Sequence, residues 1–350
     1  MNGNYAVGIV GAFAFDRNII GGQTVKTRLM LEYLQAQLGE ANVHFTDTSI
    51  WRDSPITLMK SVKKTLHDSN CVIIGLNKKG MQTLFPLILF FNRRKHRKLV
   101  YLVIGGWLPD YLESHPFLKR KCRVFSKIFV ETTEMMKELK FEGFQNVVRL
   151  PNFKNYEFVP RYKKSSKTFK TVFFSRVCRE KGVELAIEAV SALSENYSVQ
   201  LDIYGPIQPD YREHFESLVN SSSSVNYMGI LKPDSDETYE VLSNYDLMIF
   251  PTFHVGEGFP GALIDAYISG LPVIASDWKY NSEIIVEGVT GWLVPPKDVH
   301  SLEVAIENAI KNVDRLAEMR LNCVEGAKKY HVDNVLPKLL KEIGITINTD

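Results

Sequence analysis

The sequence predicts an α/β protein made of two doubly wound, Rossmann-like domains. Three observations carry that expectation. Short apolar runs alternate with longer segments of helical periodicity along the chain, the pattern of parallel strands covered on both faces by helices. A length of 350 residues suggests about two domains at roughly 100–200 residues each. A mainly polar and basic stretch, EFVPRYKKSSKTFK (157–170), interrupts the alternation and precedes a fresh strand, which marks it as a linker and a candidate hinge. The expected domains are therefore 1–160 and 165–330.

Composition excludes several classes. At 45% hydrophobic and 23% charged residues the chain is globular rather than disordered. A formal net charge of +2 supplies no global field for nucleic acid. Cys71, Cys122, Cys178 and Cys323 are scattered, with no metal-ligand pair and no disulfide framework. Reduced thiols in a cytoplasmic protein are expected. The opening MNGNYAVGIVGAF has no basic flank leading into a long apolar core, so no signal peptide is expected. No stretch reaches the ~20 apolar residues of a membrane span.

In the first half, YAVGIVGAF (5–13) reads as a strand, Gly21 and Gly22 as a loop, and QTVKTRLMLEYLQAQL as a helix with Val25, Leu29, Leu31 and Leu34 at helical spacing. Strand, glycine loop and helix form the first unit of a dinucleotide-type fold. The three-glycine fingerprint is incomplete, and a helix N-cap turn explains the glycines as well. Further strands are expected at 43–49, 71–76, 98–106, 125–132 and 147–153, with helices near 54–67, 80–92, 110–122 and 133–141. Ligands of such sheets bind beyond the carboxyl ends of the strands, where Gly105, Gly106, Trp107, Pro109 and Asp110 fall. Asp110 suits a helix N-cap equally well. LFPLILFF (84–91) runs into NRRKHRK (92–98). That is either a helix packed on the sheet before a solvated loop, or an apolar face and basic cluster docking on an anionic membrane.

In the second half, TVFFSRV (171–177) is a strand and GVELAIEAVSAL (182–193) a helix with Val183, Ala186, Ile187, Val190 and Leu193 inward. Arg176 and Lys181 lie in the turn between them. A planar fork and a mobile point charge at that spacing either clamp a diphosphate or sit as surface charges, and Arg179 is a substitute. Strands at 199–205 and 225–231 and a helix at 235–245 follow. DLMIFPT (246–252) is a buried-strand pattern. Gly256, Gly258 and Gly261 then permit tight turns and close backbone approach, and Pro260 suits the first turn of the helix that ends at Gly270. Free N–H groups and the positive dipole end near Gly258 to Gly261 would hold a diphosphate. Glu257 precedes this helix and Asp265 lies about one turn inside it. Each is a potential diol receptor; the alternative is a solvated Glu and a helix-surface Asp. His254 is either catalytic or structural. A strand follows at 272–277, EIIVEGVTGWLVPPKD (283–298) closes the wall, and helices are expected at 299–312, 314–329 and 334–343.

EGFPGALID (257–265), followed by GLPVIASD (270–277), resembles the donor-site signature of the family-4 retaining glycosyltransferases, which include bacterial surface-polysaccharide enzymes. The resemblance implies a GT-B fold, two doubly wound domains facing across a cleft. Residues 1–160 would bind acceptor and 165–330 the nucleotide-sugar donor, with a C-terminal helix at about 331–350 packing back on the first domain. It implies catalytic roles for Arg176 and Lys181 on the donor diphosphate and for Glu257 on the donor sugar. Asp265 would take the ribose hydroxyls, with a side chain one methylene shorter than the family's Glu. Gly258, Phe259, Pro260 and Gly261 would line the donor, together with Gly21, Gly22 and Gln23, Gly205, and Met228, Gly229, Ile230 and Leu231 at the nucleobase. Gly106, Trp107 and Asp110 would face the acceptor; the histidine common there is absent from GGWLPDYL.

The implied reaction moves a hexosyl group, with retention, from a nucleoside diphosphate sugar to a glycan or lipid-linked acceptor in surface polysaccharide biosynthesis. UDP is favoured by family frequency. No metal or other cofactor is implied. The setting would be cytoplasmic, at the inner face of the plasma membrane if 84–98 touches lipid. Two other classes share these features. A nucleotide-sugar epimerase of the same fold needs further acid/base groups that the sequence does not name. A nonenzymatic nucleotide-sugar-binding partner subunit would not need the whole set of Arg176, Lys181, Glu257 and Asp265.

Overall fold

The computed structural model describes residues 5–15, 21–161, 167–232 and 235–345. Positions 162–166 of the expected linker and 346–350 of the expected C-terminal helix lie outside that set. The chain divides into two compact units, Met1–Lys154 with His331–Asp350, and Asn155–Tyr330.

The first unit runs β1 (Val7–Gly11), α1 (Gly22–Leu38), β2 (Val43–Asp47), α2 (Pro55–Asp68), β3 (Cys71–Gly75), α3 (Lys78–Asn92), β4 (Lys98–Leu102), α4 (Leu108–Glu113), α5 (Pro116–Cys122), β5 (Lys127–Val130), α6 (Thr133–Phe141) and β6 (Val147–Arg149). All pairings are parallel, in the order β2-β1-β3-β4-β5-β6. Strands β1 and β3, VGIVG and CVIIG, are buried at every position, as strands covered on both faces must be.

The local chemistry corrects several expectations. The helix expected over 110–122 is two helices, because His115 precedes Pro116 and takes φ −132°, ψ 70°; a residue before proline is pushed out of the helical region. Trp107, not Asp110, holds the N-cap position of α4, and Asp110 lies in its first turn. The strand expected over 98–106 stops at Leu102, and Gly105 takes φ +84°. The inward face of α1 is offset from the leucine pattern: Thr24, Lys26 and Thr27 are buried, while Val25 and Leu29 are half-buried. Helix α3 buries Met81, Leu84, Phe85 and Ile88.

The second unit runs β7 (Phe169–Phe174), α7 (Val183–Leu193), β8 (Val199–Tyr204), α8 (Arg212–Asn220), β9 (Val225–Gly229), α9 (Asp236–Ser243), β10 (Leu247–Phe250), α10 (Gly261–Ile268), β11 (Val273–Ser276), β12 (Gly291–Val294), α11 (Val299–Lys311) and α12 (Val313–Lys328). Its sheet is parallel in the order β12-β11-β10-β7-β8-β9. Side chains alternate across it. Phe173 joins a core with Val183, Ile187 and Val190 of α7, while its neighbours Val172 and Phe174 join a second core with Leu263 and Tyr267 of α10. Helix α8 was not foreseen; it buries only Phe215.

The last helix, α13 (Val332–Ile343), has Val335, Leu336, Leu339, Leu340 and Ile343 at helical spacing. They pack with Met30, Leu31 and Leu34 of α1 in the core of the first sheet. The N–H of Val332 donates to Lys154 O at 2.9 Å. Among the described residues no helix is long and apolar enough to cross a membrane.

Leu336 is fully buried in that core. Leu336→Ala should therefore destabilise the chain by about 2–5 kcal/mol, read as a lower midpoint in urea denaturation of the full chain.

Candidate functional site

The candidate residues of the second unit gather at the carboxyl-terminal edge of its sheet. Past β7 the chain exposes Arg176, then makes a short 3-10 turn over Arg179–Lys181. Gly182 follows with φ +77°, and a Cβ there would stand 2.2 Å from Pro251 O. Glycine is needed for this close approach, which lays the turn carrying Lys181 against the end of β10. The N–H of Phe253 donates to Glu180 O at 2.8 Å, tying the two loops together.

Across this contact Lys181 Nζ donates to both carboxylate oxygens of Glu257, at 2.9 and 2.6 Å. The two side chains are 11% and 8% exposed. Glu257 is thus a buried partner of Lys181, not a solvated side chain. Thr252, itself fully buried, donates its hydroxyl to Glu257 Oε2 at 2.8 Å. The Ser276 hydroxyl at the end of β11 donates to Thr252 O, and Asn281 Nδ2 donates to Ser276 O at 2.9 Å. Polar support therefore runs under the site from β11 through β10 to the turn after β7. Thr252, Ser276 and Asn281 escaped the sequence reading, since nothing in a lone hydroxyl or amide signals such a contact.

Pro260 caps α10 with extended backbone, φ −65° and ψ 119°, rather than sitting in its first turn. Gly258, in the loop before it, is buried. Phe259 is 4% exposed and sets its ring edge-on to Tyr330 at 5.1 Å, so a ligand would meet its backbone. Asp265 is 2% exposed, not a helix-surface residue. Arg179 pairs with Glu184 at 3.5 Å.

Gly205, φ +149°, belongs to the same edge. A Cβ there would lie 1.8 Å from Ser175 O and 3.4 Å from Arg176 N. Its N–H donates to Gly229 O at 2.9 Å. Strand β9 ends at Gly229, so Ile230 and Leu231 are loop residues rather than the strand expected to 231. Met228 and Ile230 are 52% and 63% exposed.

In the first unit Gly21 is the N-cap of α1 and Gly22 its first residue. Among the described residues neither has an atom within 4 Å of an added Cβ. Gln23 Nε2 donates to Gly75 O at 3.0 Å, joining α1 to the end of β3. Gly106 is buried and Asp110 exposed; Trp107 Nε1 donates to Ile104 O at 3.0 Å. A buried pair that sequence spacing cannot show, Lys26 and Glu131, lies beside this loop. Burial raises the Cys71 and Cys122 thiols to about 12, so neither is a thiolate at neutral pH. Among the described residues no three His, Cys, Asp or Glu side chains form a metal-ligand set.

Residues 168–312, which include β7 through the end of α11, match the model of the family described as glycosyl transferases group 1. These residues form a glycosyl transferases group 1 domain. The chain is 29% identical over 208 residues to the exopolysaccharide phosphotransferase SCO2592 of Streptomyces coelicolor, a match covering 59% of this chain and 21% of that one. It is 28% identical over 135 residues to the amylovoran biosynthesis glycosyltransferase AmsK of Erwinia amylovora, covering 37% and 32%. The chain thus spans a third or less of the length of these curated relatives. The crystal structure of Anabaena Alr3699/HepE in complex with UDP shares the fold, with a TM-score of 0.74 at 15% identity over 97% of this chain and 99% of that one. The architecture is GT-B. The group 1 domain holds Arg176, Lys181, Glu257 and Asp265, and Thr252 with them.

Within this domain His254 accepts at its carbonyl from Trp278 Nε1 at 2.9 Å and from the Glu257 N–H at 3.0 Å. Burial first, then the charge of Lys181, holds its imidazole below the ordinary 6.5, against an opposing pull from Glu257. The unfolded chain then binds more protons than the folded one below neutral pH, so His254 lowers stability as pH falls through about 6.5. NMR titration should place the His254 midpoint below that value, and His254→Gln should flatten the loss of stability between roughly pH 7 and pH 5.

Proposed function

We propose that the chain is a retaining hexosyltransferase. It would move a sugar from a nucleoside diphosphate sugar, UDP-linked in our reading, to a glycan or lipid-linked acceptor in surface polysaccharide assembly. The observation that carries this is the buried Lys181–Glu257 pair, set beside the amino end of α10 on the same sheet edge as Arg176. In this reading the donor diphosphate lies over the edge of the second sheet, in reach of Arg176, Lys181 and the α10 amides. Glu257 addresses the sugar, Asp265 the ribose, and the backbone of 228–231 the base. In the first unit, the loops at Gly21–Gln23 and at Gly106–Asp110 are the candidates for substrate contact.

The chemistry follows from charge. As the glycosidic bond breaks, negative charge grows on the leaving diphosphate. Arg176, Lys181 and a helix dipole already aimed at that position stabilise it without reorganisation. The leaving phosphate takes the acceptor proton, so no protein nucleophile is invoked, and the cations do the neutralising that a metal would otherwise supply. The UDP-bound Anabaena structure and the polysaccharide names of the relatives support this reading of donor and setting.

Wild-type turnover, measured as UDP release, should persist with EDTA in the assay. Removing one stabilising donor commonly costs ~10²–10³ in rate, so Arg176→Ala should lose turnover on about that scale. Near-normal turnover in that variant would overturn the assignment.

The reading also includes contact with an anionic bilayer through 84–98. In the fold, Phe90 is 65% exposed and the basic loop after it precedes β4. The loops before β5 and β6 share this amino-terminal edge of the first sheet. The loop before β5 adds Val124 at 51% exposure and the end of α6 adds Phe141 at 92%, and Arg123 stands over the ring of Phe144 at 5.6 Å. Lys119 of α5 pairs with Glu142, joining that helix to the loop before β6. Exposed aromatics with exposed arginines and lysines close by in the chain suit anionic headgroups. The full chain should co-float with phosphatidylglycerol vesicles, less with rising salt, and Phe90→Ser with Arg94→Glu should release it. Equal flotation with neutral phosphatidylcholine would count against this contact.

A further inference from the structure

The carboxyl-terminal edge of the first sheet holds a charge pair that the proposed function leaves unused. Lys26, one turn into α1, is 1% exposed, and Glu131, the residue after β5, is 3% exposed. Lys26 Nζ donates to Glu131 Oε1 at 2.7 Å and stands 5.5 Å over the ring of Phe153. The other carboxylate oxygen, Oε2, accepts from the Gly105 N–H at 3.2 Å. Backbone pairing beyond β4 runs to Val103, whose N–H donates to Phe129 O at 2.9 Å. Glu131 continues that pairing two residues further with a side-chain oxygen. One carboxylate thus links the helix after Gly21–Gly22 to the loop that carries Gly106 and Trp107.

Stability alone explains this pair poorly. Stripping water from two ions costs several kcal/mol each, and a well-packed apolar pair of similar volume is often as stable or more so. Apolar side chains cannot hold a backbone amide. Gly105 leaves strand geometry with φ +84°, so its amide direction sets where the following residues point.

We propose that Glu131, anchored by Lys26, is a positioning residue. It fixes the Gly105 amide, and so holds the backbone of the 105–107 loop and Trp107 in the one arrangement that substrate contact by this loop requires. The inference rests on the glycosyltransferase reading.

Two double variants of the full chain test it. K26M/E131L removes both charges and the acceptor for the Gly105 N–H. K26M/E131Q removes both charges and keeps an amide oxygen in that place. Both should melt close to the wild type. In K26M/E131L, hydrogen exchange at residues 105–107 should speed up. Hydrolysis of UDP-glucose or UDP-N-acetylglucosamine, used as probes, should fall on the order of 10²-fold, the scale of a slightly misplaced group. Affinity for UDP alone should not change, and K26M/E131Q should restore both readouts. Unchanged exchange at 105–107 in K26M/E131L, equal losses in both variants, or collapse of both melting temperatures would overturn the proposal. A wild-type chain that hydrolyses neither probe would instead count against the glycosyltransferase reading, and the exchange comparison would still decide the positioning role.

Discussion

The second unit's site depends on one contact between opposite charges. Lys181 and Glu257 stand 76 residues apart in sequence, yet meet in a largely dry place where neither charge is tolerable alone. Everything around them serves to make that meeting possible. Gly182 lets the turn carrying Lys181 close on Pro251, and Thr252, its carbonyl held by Ser276, donates its hydroxyl to the carboxylate. Ordering a long lysine side chain costs roughly 1.5–2 kcal/mol of rotamer entropy. Here that cost is incurred on folding, so an anion arriving at this edge meets a cation already in position.

The two edges of the first sheet differ in kind. Its carboxyl-terminal edge hides one charge pair: Lys26 and Glu131 are buried, and the loops there are held by backbone and side-chain hydrogen bonds. Its amino-terminal edge displays charges, with Phe90 and Phe141 standing out among arginines and lysines. With a net charge of only +2 over the chain, that uneven placement is a property of the fold rather than of composition.

Much of this was legible in the sequence, and the remainder fails for identifiable reasons. Runs such as CVIIG and LMIF announce strands buried on both faces, so the alternation of the two sheets could be read directly. Glycines 182 and 205 sit where close approach requires them, but only the fold reveals what they approach. Helix α8 was invisible because a single inward residue, Phe215, leaves almost no periodicity. The buried face of α1 was misjudged because Lys26 reads as a solvent residue until Glu131 is brought beside it. The same limit hid Thr252: a hydroxyl's role depends on which carboxylate it meets, and that carboxylate comes from a different turn.

The return of the last helix has a consequence for how the chain is made. The core of the first sheet needs Val335, Leu336 and Leu339, which follow the whole of the second unit. During synthesis the second unit emerges as one unbroken stretch and has all its residues in hand before α13 appears. The first unit, although its strands emerge earliest, must wait with part of one face uncovered. Domains usually fold in the order they leave the ribosome. Here the order of completion is inverted, and the interval before α13 arrives is when exposed α1 and strand surface most needs protection from aggregation.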